Sequence, residues 1–230
     1  YDSGRGVELV VGAGALFRRR GGYGRGVSVG RAGVKGQRYA ITANDCRHLA
    51  GGMTAEAGQK RRRMIELCDT FHLPMIHFVD EPGFMIGPGA EADATIRYGM
   101  AAVAAAATAS IPWASVRVHK CFGVAGAAHF GPDAYVLDWP SAESGALPLE
   151  GGVAVAFGRG IDAAPDPDAK RHESEQRIAR SRNHYAAAES FAVHDMIDPR
   201  ETRPMLCDWI DWIQPRLDDL IGETHFLMRP

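Results

Sequence analysis

Apolar positions change period several times along the chain, and each change marks an element. Strand signals stand at residues 27–32, with Val27 and Val29, and at 39–43, with Tyr39, Ile41 and Thr42, on either side of Val34, Lys35, Gly36 and Gln37, which predicts a hairpin. Residues 44–53 are rich in turn formers. From residue 55 to 71 the spacing turns helical, with Met64, Ile65, Leu67, Cys68 and Phe71 on one side and Thr54 placed as N-cap. Residues 75–79 form a short continuous apolar run of the buried-strand type. Residues 91–109 predict a helix whose small face, Ala94, Ala101, Ala102, Ala104, Ala105 and Ala106, lets it lie close on a sheet. A strand follows at 114–119, a small-residue turn at 121–125, and then a run fit to begin a helix. Beyond it come a strand at 134–137, a compact turn at 138–143 and an apolar, glycine-interrupted stretch at 145–157. A helix over 169–188, a loop at 194–203 and a last helix over 205–220 complete the series. Strands alternating with helices predict an α/β fold.

Two places in this pattern suit chemistry. At residues 121–125 Gly123 permits a sharp turn, and Gly126, Ala127 and Ala128 permit close approach. The first turn of a helix starting there has N–H groups without internal acceptors, at the positive end of the helix dipole. Such donors hold an oxygen that gains negative charge; the alternative is a corner that only packs tightly. The second place is residues 80–89, where two Pro-Gly punctuations force an irregular connection at a strand's C-terminal end, the edge where α/β folds bind ligands. Asp80 and Glu81 are adjacent and point apart on extended backbone, so they make a poor acid/base pair. Asp80 is expected to accept from loop N–H groups.

Composition narrows the choice. A chain of 230 residues that is 46% apolar can fill a core, and a net charge of −2 argues against a dedicated nucleic-acid binder. The four cysteines are scattered without a CxxC pair, which predicts neither a disulfide framework nor a zinc site and points to the cytoplasm. The apolar run near residues 100–109 is too short to span a bilayer. Residues 1–36 hold eleven glycines and seven Lys or Arg against two acids, and are expected to be a mobile basic approach to the sheet. Within them Gly12-Ala13-Gly14 starts like a dinucleotide fingerprint but lacks the third glycine, and the Arg18–Gly26 run has RGG-like composition in one cluster only. Lys60, Arg61, Arg62 and Arg63 predict a solvated helix face, with a patch for phosphates or an acidic partner as the alternative. Nine histidines show no metal spacing, so no metal is expected, and His129 is expected to pack as an ordinary helix residue. With no GxSxG, HExxH or P-loop, an enzyme built on this chain would work by electrostatic stabilisation or with a cofactor.

Several blocks are distinctive together: Gly51-Gly52-Met53-Thr54 with Lys60, Glu66-Leu67-Cys68-Asp69 ahead of Leu73-Pro74, and Asp80-Glu81-Pro82-Gly83-Phe84-Met85-Ile86-Gly87. To these add residues 120–125, Trp139-Pro140-Ser141-Ala142-Glu143 and Ile197-Asp198-Pro199-Arg200-Glu201-Thr202-Arg203. In order and spacing they resemble the biotin-dependent acyl-CoA carboxyltransferases, from about residue 27 to residue 220. The resemblance is to the C-terminal module of the propionyl-CoA/acetyl-CoA carboxylase beta subunit. It implies a single crotonase-like (ClpP/crotonase) ββα superhelix over residues 27–230, behind a Gly/Arg-rich segment at 1–26, with no counterpart of the family's N-terminal module.

The implied activity is transfer of a carboxyl group from carboxybiotin, held on a carrier protein, to the α carbon of an acyl-CoA, this chain supplying the biotin side. Carried over, the backbone N–H groups of Val124 and Ala125 form the oxyanion hole, and Gly83, Phe84, Gly123 and Gly126 line the biotin site. Implied partners are a biotin carboxylase/biotin carboxyl carrier subunit, the N-terminal carboxyltransferase module and further copies of the chain, with no nucleic acid and no membrane. The family usually has glycine at the position of Val124 and Thr or Val at that of Glu81. Three alternatives stay open: a biotin-dependent decarboxylase of a malonyl-type CoA, a crotonase-like hydratase or isomerase, and a non-catalytic assembly module.

Overall fold

The computed structural model describes residues 3–12, 16–34, 36–181 and 184–222. Helix α1 (Ser3–Val11) and strand β1 (Phe17–Arg19) come first. The expected hairpin follows as antiparallel β2 (Val27–Val34) and β3 (Gln37–Asn44); Lys35 at its tip lies outside the described residues. Helix α2 (Ala55–Thr70) starts where Thr54 Oγ1 accepts from the Ala57 N–H at 3.1 Å. Then come β4 (Met75–Glu81), α3 (Pro88–Ala92), α4 (Thr95–Thr108), β5 (Trp113–Phe122) and α5 (Gly123–Ala127). The chain continues through β6 (Tyr135–Asp138), β7 (Glu143–Gly145), α6 (Leu149–Asp162), α7 (Pro167–Ser181), α8 (His184–Glu189) and β8 (Asp195–Met196). Helices α9 (Thr202–Trp212) and α10 (Gln214–Asp219) end the described chain.

Among the described residues eight strands form one sheet in the order β1-β2-β3-β4-β5-β6-β8, with β7 beside β5. The hairpin edge is antiparallel and the pairs from β3 onward are parallel. Parallel strands need cover on both faces, and alternation within each strand divides the core accordingly. Tyr39, Ile41, Ile76, Phe78, Ala114 and Val116 meet Val7, Val10 and Val11 of α1 and Leu206, Trp209 and Ile210 of α9. Ala40, Met75 and Trp113 face the other way, against Met64, Ile65 and Cys68 of α2, Ala102, Ala105 and Ala106 of α4, and Ala125 of α5. The fold is α/β and crotonase-like.

Several expectations change on meeting long-range partners. The basic start is not without structure: Val7, Val10 and Val11 recur at helical spacing and bury against the sheet, and Arg203 Nη1 caps α1 by donating to the Val10 carbonyl at 2.6 Å. Residues 13–15 of the fingerprint-like stretch lie outside the described residues. The helix expected over 91–109 is two helices, broken at Ala94 with φ 57°. The last helix breaks at Ile213, ahead of Pro215 in the first turn of α10. The glycine-interrupted stretch becomes helix α6. The solvated face fails for two of its four cations, since Lys60 and Arg61 are buried. Lys60 Nζ donates to the carbonyls of Val27 at 2.7 Å, Tyr23 at 2.8 Å and Gly24 at 3.4 Å, so all three of its donors are matched.

Helices α2 and α4 touch backbone to backbone at Gly58, where a Cβ would stand 2.9 Å from the Tyr98 carbonyl carbon and oxygen. Gly58→Ala, which helix propensity alone would make stabilising, is therefore expected to destabilise by about 1–3 kcal/mol through overpacking. Gly158→Ala in α6, where a Cβ meets nothing within 4 Å, is expected to stabilise by about 0.5–1 kcal/mol. Urea denaturation of both variants checks the opposite signs.

Candidate functional site

Strands β4 and β5 run side by side in parallel, from Met75 opposite Trp113 to Glu81 opposite Cys121. Their C-terminal ends therefore deliver two connections to one edge: the Gly83-Phe84 loop after β4 and the Gly123 turn after β5. The first is stitched to the segment before α2, because Met53 N–H donates to the Gly83 carbonyl at 2.9 Å and Met85 N–H to the Met53 carbonyl at 3.0 Å. Gly83 has φ 129°, with nothing near the place a Cβ would occupy. Phe84 is half-buried against Gly99 of α4, where a Cβ would come within 2.1 Å of its ring.

The second connection turns on Gly123, with φ 63°. Gly126 sits over Cys121, whose Sγ a Cβ would meet at 3.0 Å. Ala125 is fully buried, whereas the Val124 side chain is 54% exposed. Both lie in the first turn of α5, where N–H groups have no intrahelical acceptor. The far end of α5 is anchored to the start of β5: the His129 carbonyl accepts from Trp113 Nε1 at 2.8 Å and Ser115 Oγ at 2.6 Å.

Beneath this edge lies a buried polar cluster that the spacing of residues did not reveal. Asp80 and Glu81 point apart, as expected. Asp80 accepts from the Lys120 N–H at 3.1 Å and from Cys46 Sγ at 3.0 Å. Glu81 turns inward, accepts from Asn44 Nδ2 at 3.1 Å and the Gly83 N–H at 3.3 Å, and stands 3.6 Å from Arg61 Nη1. Arg61 Nη1 lies 2.6 Å from His129 Nε2. Arg61 can only donate, so Nε2 accepts and the ring proton belongs on Nδ1, which has no partner among the described residues. His129 is thus part of an ionic network rather than an ordinary packed helix residue. His77 stacks on Trp113 with ring centroids 4.4 Å apart, and neither of its ring nitrogens finds a partner among the described residues.

Burial dominates the ionisation of this cluster. It raises the Glu81 carboxyl to about 7, with Arg61 and the hydrogen bonds from Asn44 and Gly83 opposing. It holds His77 and His129 well below the ordinary imidazole range, reinforced by the Arg61 charge, and lowers Arg61 itself. The four side chains are enclosed, so they position rather than touch a ligand: together they tie α2, β4 and the end of α5. A titratable residue within an apolar run, as in the Met75–Phe78 stretch around His77, was the one hint that the sequence held. Among the described residues no group of three or more His, Cys, Asp or Glu could hold a metal ion, and no helix is long and apolar enough to cross a membrane.

Residues 1–215 match the family described as Carboxyl transferase domain. The chain belongs to the carboxyl transferase domain family. It is 33% identical over 211 residues to the carboxyltransferase subunit of propionyl-CoA carboxylase from Haloferax mediterranei, covering 90% of this chain and 41% of that protein. It is 33% identical over 230 residues to the methylmalonyl-CoA carboxyltransferase 12S subunit of Propionibacterium freudenreichii subsp. shermanii, covering 98% of this chain and 44% of that one. The crystal structure of the transcarboxylase 12S hexamer, with methylmalonyl-coenzyme A and methylmalonic acid bound, superposes with a TM-score of 0.87 at 29% identity. That likeness covers all of this chain and 43% of the other. The carboxyl transferase chain described here thus spans less than half the length of the relatives it matches.

The raised Glu81 carboxyl has a measurable consequence. The folded protein holds its proton more tightly than the unfolded chain does, so this contribution to stability is full below the unfolded carboxyl's range. It is lost as pH rises through about 7. His77 and His129 act the opposite way, their contribution being lost as pH falls below the ordinary imidazole value. Glu81→Gln deletes only the first slope. Its stability relative to the parent, from urea denaturation across the pH range, is expected to improve as pH rises towards 7; a pH-independent difference would show that Glu81 does not titrate there.

Proposed function

We propose that the chain is the biotin-side half of an acyl-CoA carboxyltransferase, moving a carboxyl group from carboxybiotin to the α carbon of an acyl-CoA. In this reading residues 27–230 form the crotonase-like module, with α1 and β1 packed on it as an extension. The observation that carries the reading is the turn after β5. A positive-φ glycine opens it, two first-turn N–H groups lie at its mouth, and small side chains surround it. The neighbouring Gly83 leaves open space beside it at the same strand edge.

These residues fit a ureido ring. Carboxybiotin, when bound, supplies the activated carboxyl group. The Val124 and Ala125 N–H groups would donate to its ureido oxygen and stabilise negative charge there, their positions fixed in advance by the backbone. Gly123 and Gly126 let that backbone come close, while Gly83 and Phe84 wall the opposite side. The cluster of Arg61, Glu81 and His129 holds the α5 turn at a set distance from the β4 loop. Val124 retains the donor, and its side chain stands outward.

The acyl-CoA then comes from an N-terminal carboxyltransferase module, and the carboxyl group from a biotin carboxylase/biotin carboxyl carrier subunit. Self-association follows from the same reading and is supported by the exposed Trp212 of α9 and by the hexamer of the 12S relative.

Ala125→Pro deletes one donor in the first turn of α5 without removing an intrahelical hydrogen bond, although it also strains the buried turn. In an assembly of this chain with an acyl-CoA-binding module and a carboxylated carrier, it is expected to lower transfer to propionyl-CoA by about a hundred- to thousandfold. Val124→Gly should retain transfer. Thermal melting of Ala125→Pro separates a lost donor from a lost fold, and near-parental transfer by the folded variant would make the turn a packing corner only. The 230-residue chain assayed without the acyl-CoA module is expected to show negligible transfer.

A further inference from the structure

A basic groove runs from the arginine-rich segment across helix α2 to helix α4. Part of it is a cavity of about 720 Å³ whose lining includes Arg20, Tyr23, Arg62, Arg63, Tyr98 and one carboxylate, Glu66. Two smaller hollows adjoin it, one sharing Arg20 and Arg63, the other reaching Arg18 and Arg25 past Lys60. Few carboxylates answer this charge. Glu66 accepts from Arg62 at 2.7 Å, and Asp45 accepts from Arg47 at 2.9 and 2.7 Å. Arg19, Arg20, Arg25 and Arg63 have no carboxylate partner among the described residues. Lys60, committed to three carbonyls, is held down to about 8 by burial and then by Arg20, which marks a positive potential inside the groove.

Concave walls focus such a field onto a small region. Guanidinium forks match phosphate oxygens, and the cavity has the size of a small-molecule site. Two aromatic rings stand on the same cavity as Arg20 and Arg63; burial and then the Glu56 carboxylate, which accepts from the Gly24 N–H at 3.1 Å, raise the Tyr23 hydroxyl, with Arg20 and Arg63 opposing. A nucleic-acid strand fits less well, because the chain's net charge is −2 and the groove narrows to small hollows at its ends.

We propose that this groove binds a phosphorylated nucleotide, its phosphates on Arg20 and Arg63 and its base against Tyr23 and Tyr98. The ligand is a free nucleotide such as a nucleoside triphosphate; coenzyme A, whose acyl form the proposed reaction assigns to the N-terminal module, is the control. The site is separate from the strand-edge turn, and binding is measured without any carboxyl transfer, so its failure leaves the carboxyltransferase reading standing.

The test is calorimetric titration of the 230-residue chain with ATP, with coenzyme A and with tripolyphosphate at low ionic strength. ATP is expected to bind more tightly than tripolyphosphate. That binding should weaken about tenfold in Arg20→Ala and in Arg63→Ala, and weaken further with added salt. Tyr98→Leu should weaken the nucleotide severalfold while leaving tripolyphosphate unchanged. Preference for coenzyme A over ATP would make the groove part of the acyl-CoA path and overturn the proposal. Arg20 is exposed and Arg63 half-buried, so both variants should melt like the parent. The proposal is overturned if ATP does not bind, if folded Arg20→Ala and Arg63→Ala bind it as the parent does, or if tripolyphosphate binds as tightly as ATP. Binding of RNA or of an acidic peptide in place of a nucleotide overturns it too.

Discussion

Parallel pairing of β4 with β5 is the constraint on which the rest depends. Parallel neighbours end at the same edge, so their two outgoing connections emerge together, and burial on both faces fixes which residues can form the strands. Every residue of β4 is buried, and β5 is buried over most of its length. The register slips between Val79 and Glu81, at the end of the regular ladder. Such an irregularity re-aims side chains, and here Asp80 and Glu81 diverge, one to the β5 backbone and one into the interior. The turn that starts α5 and the loop that carries Gly83 are set beside each other by this one pairing, although they are distant in sequence.

The cluster beneath the edge is expensive to enclose. Arg61, Glu81, His77 and His129 are all out of water, and a buried ion pair of this kind does not by itself stabilise a fold relative to a well-packed apolar core. Its geometry is more specific than apolar packing would be. Arg61 from α2 meets His129 from the end of α5, while Glu81 at the end of β4 also accepts from the Gly83 N–H. Three elements are thereby held in one arrangement directly behind the two connections. Glu81 holds this corner through the Arg61 charge and the hydrogen bonds it accepts from Asn44 and Gly83.

Local pattern made much of this legible. The hairpin, the Thr54 cap, the buried strand at β4 and the small-residue turn after β5 depend on near neighbours and stand where alternation and turn chemistry put them. The failures involve distant partners. Lys60 and Arg61 look like a solvated run because four consecutive cations usually are; Lys60 is buried by carbonyls 33 to 37 residues away, and Arg61 meets a histidine 68 residues on. The break at Ala94 has a left-handed backbone that alanine propensity does not signal. Helix α1 hid within a glycine- and arginine-rich composition, its three valines too few to mark a helix until the sheet they cover is in place.

The central claim is that two backbone donors at the start of α5 hold the ureido oxygen. Backbone amide NMR of the 15N-labelled chain titrated with biotin tests it most directly, since it reads the N–H groups themselves rather than a rate. The account predicts that the Val124 and Ala125 amide protons move downfield together and saturably, with smaller shifts at Gly83 and Phe84. Saturable shifts confined to other parts of the chain, with Val124 and Ala125 unmoved, would contradict it.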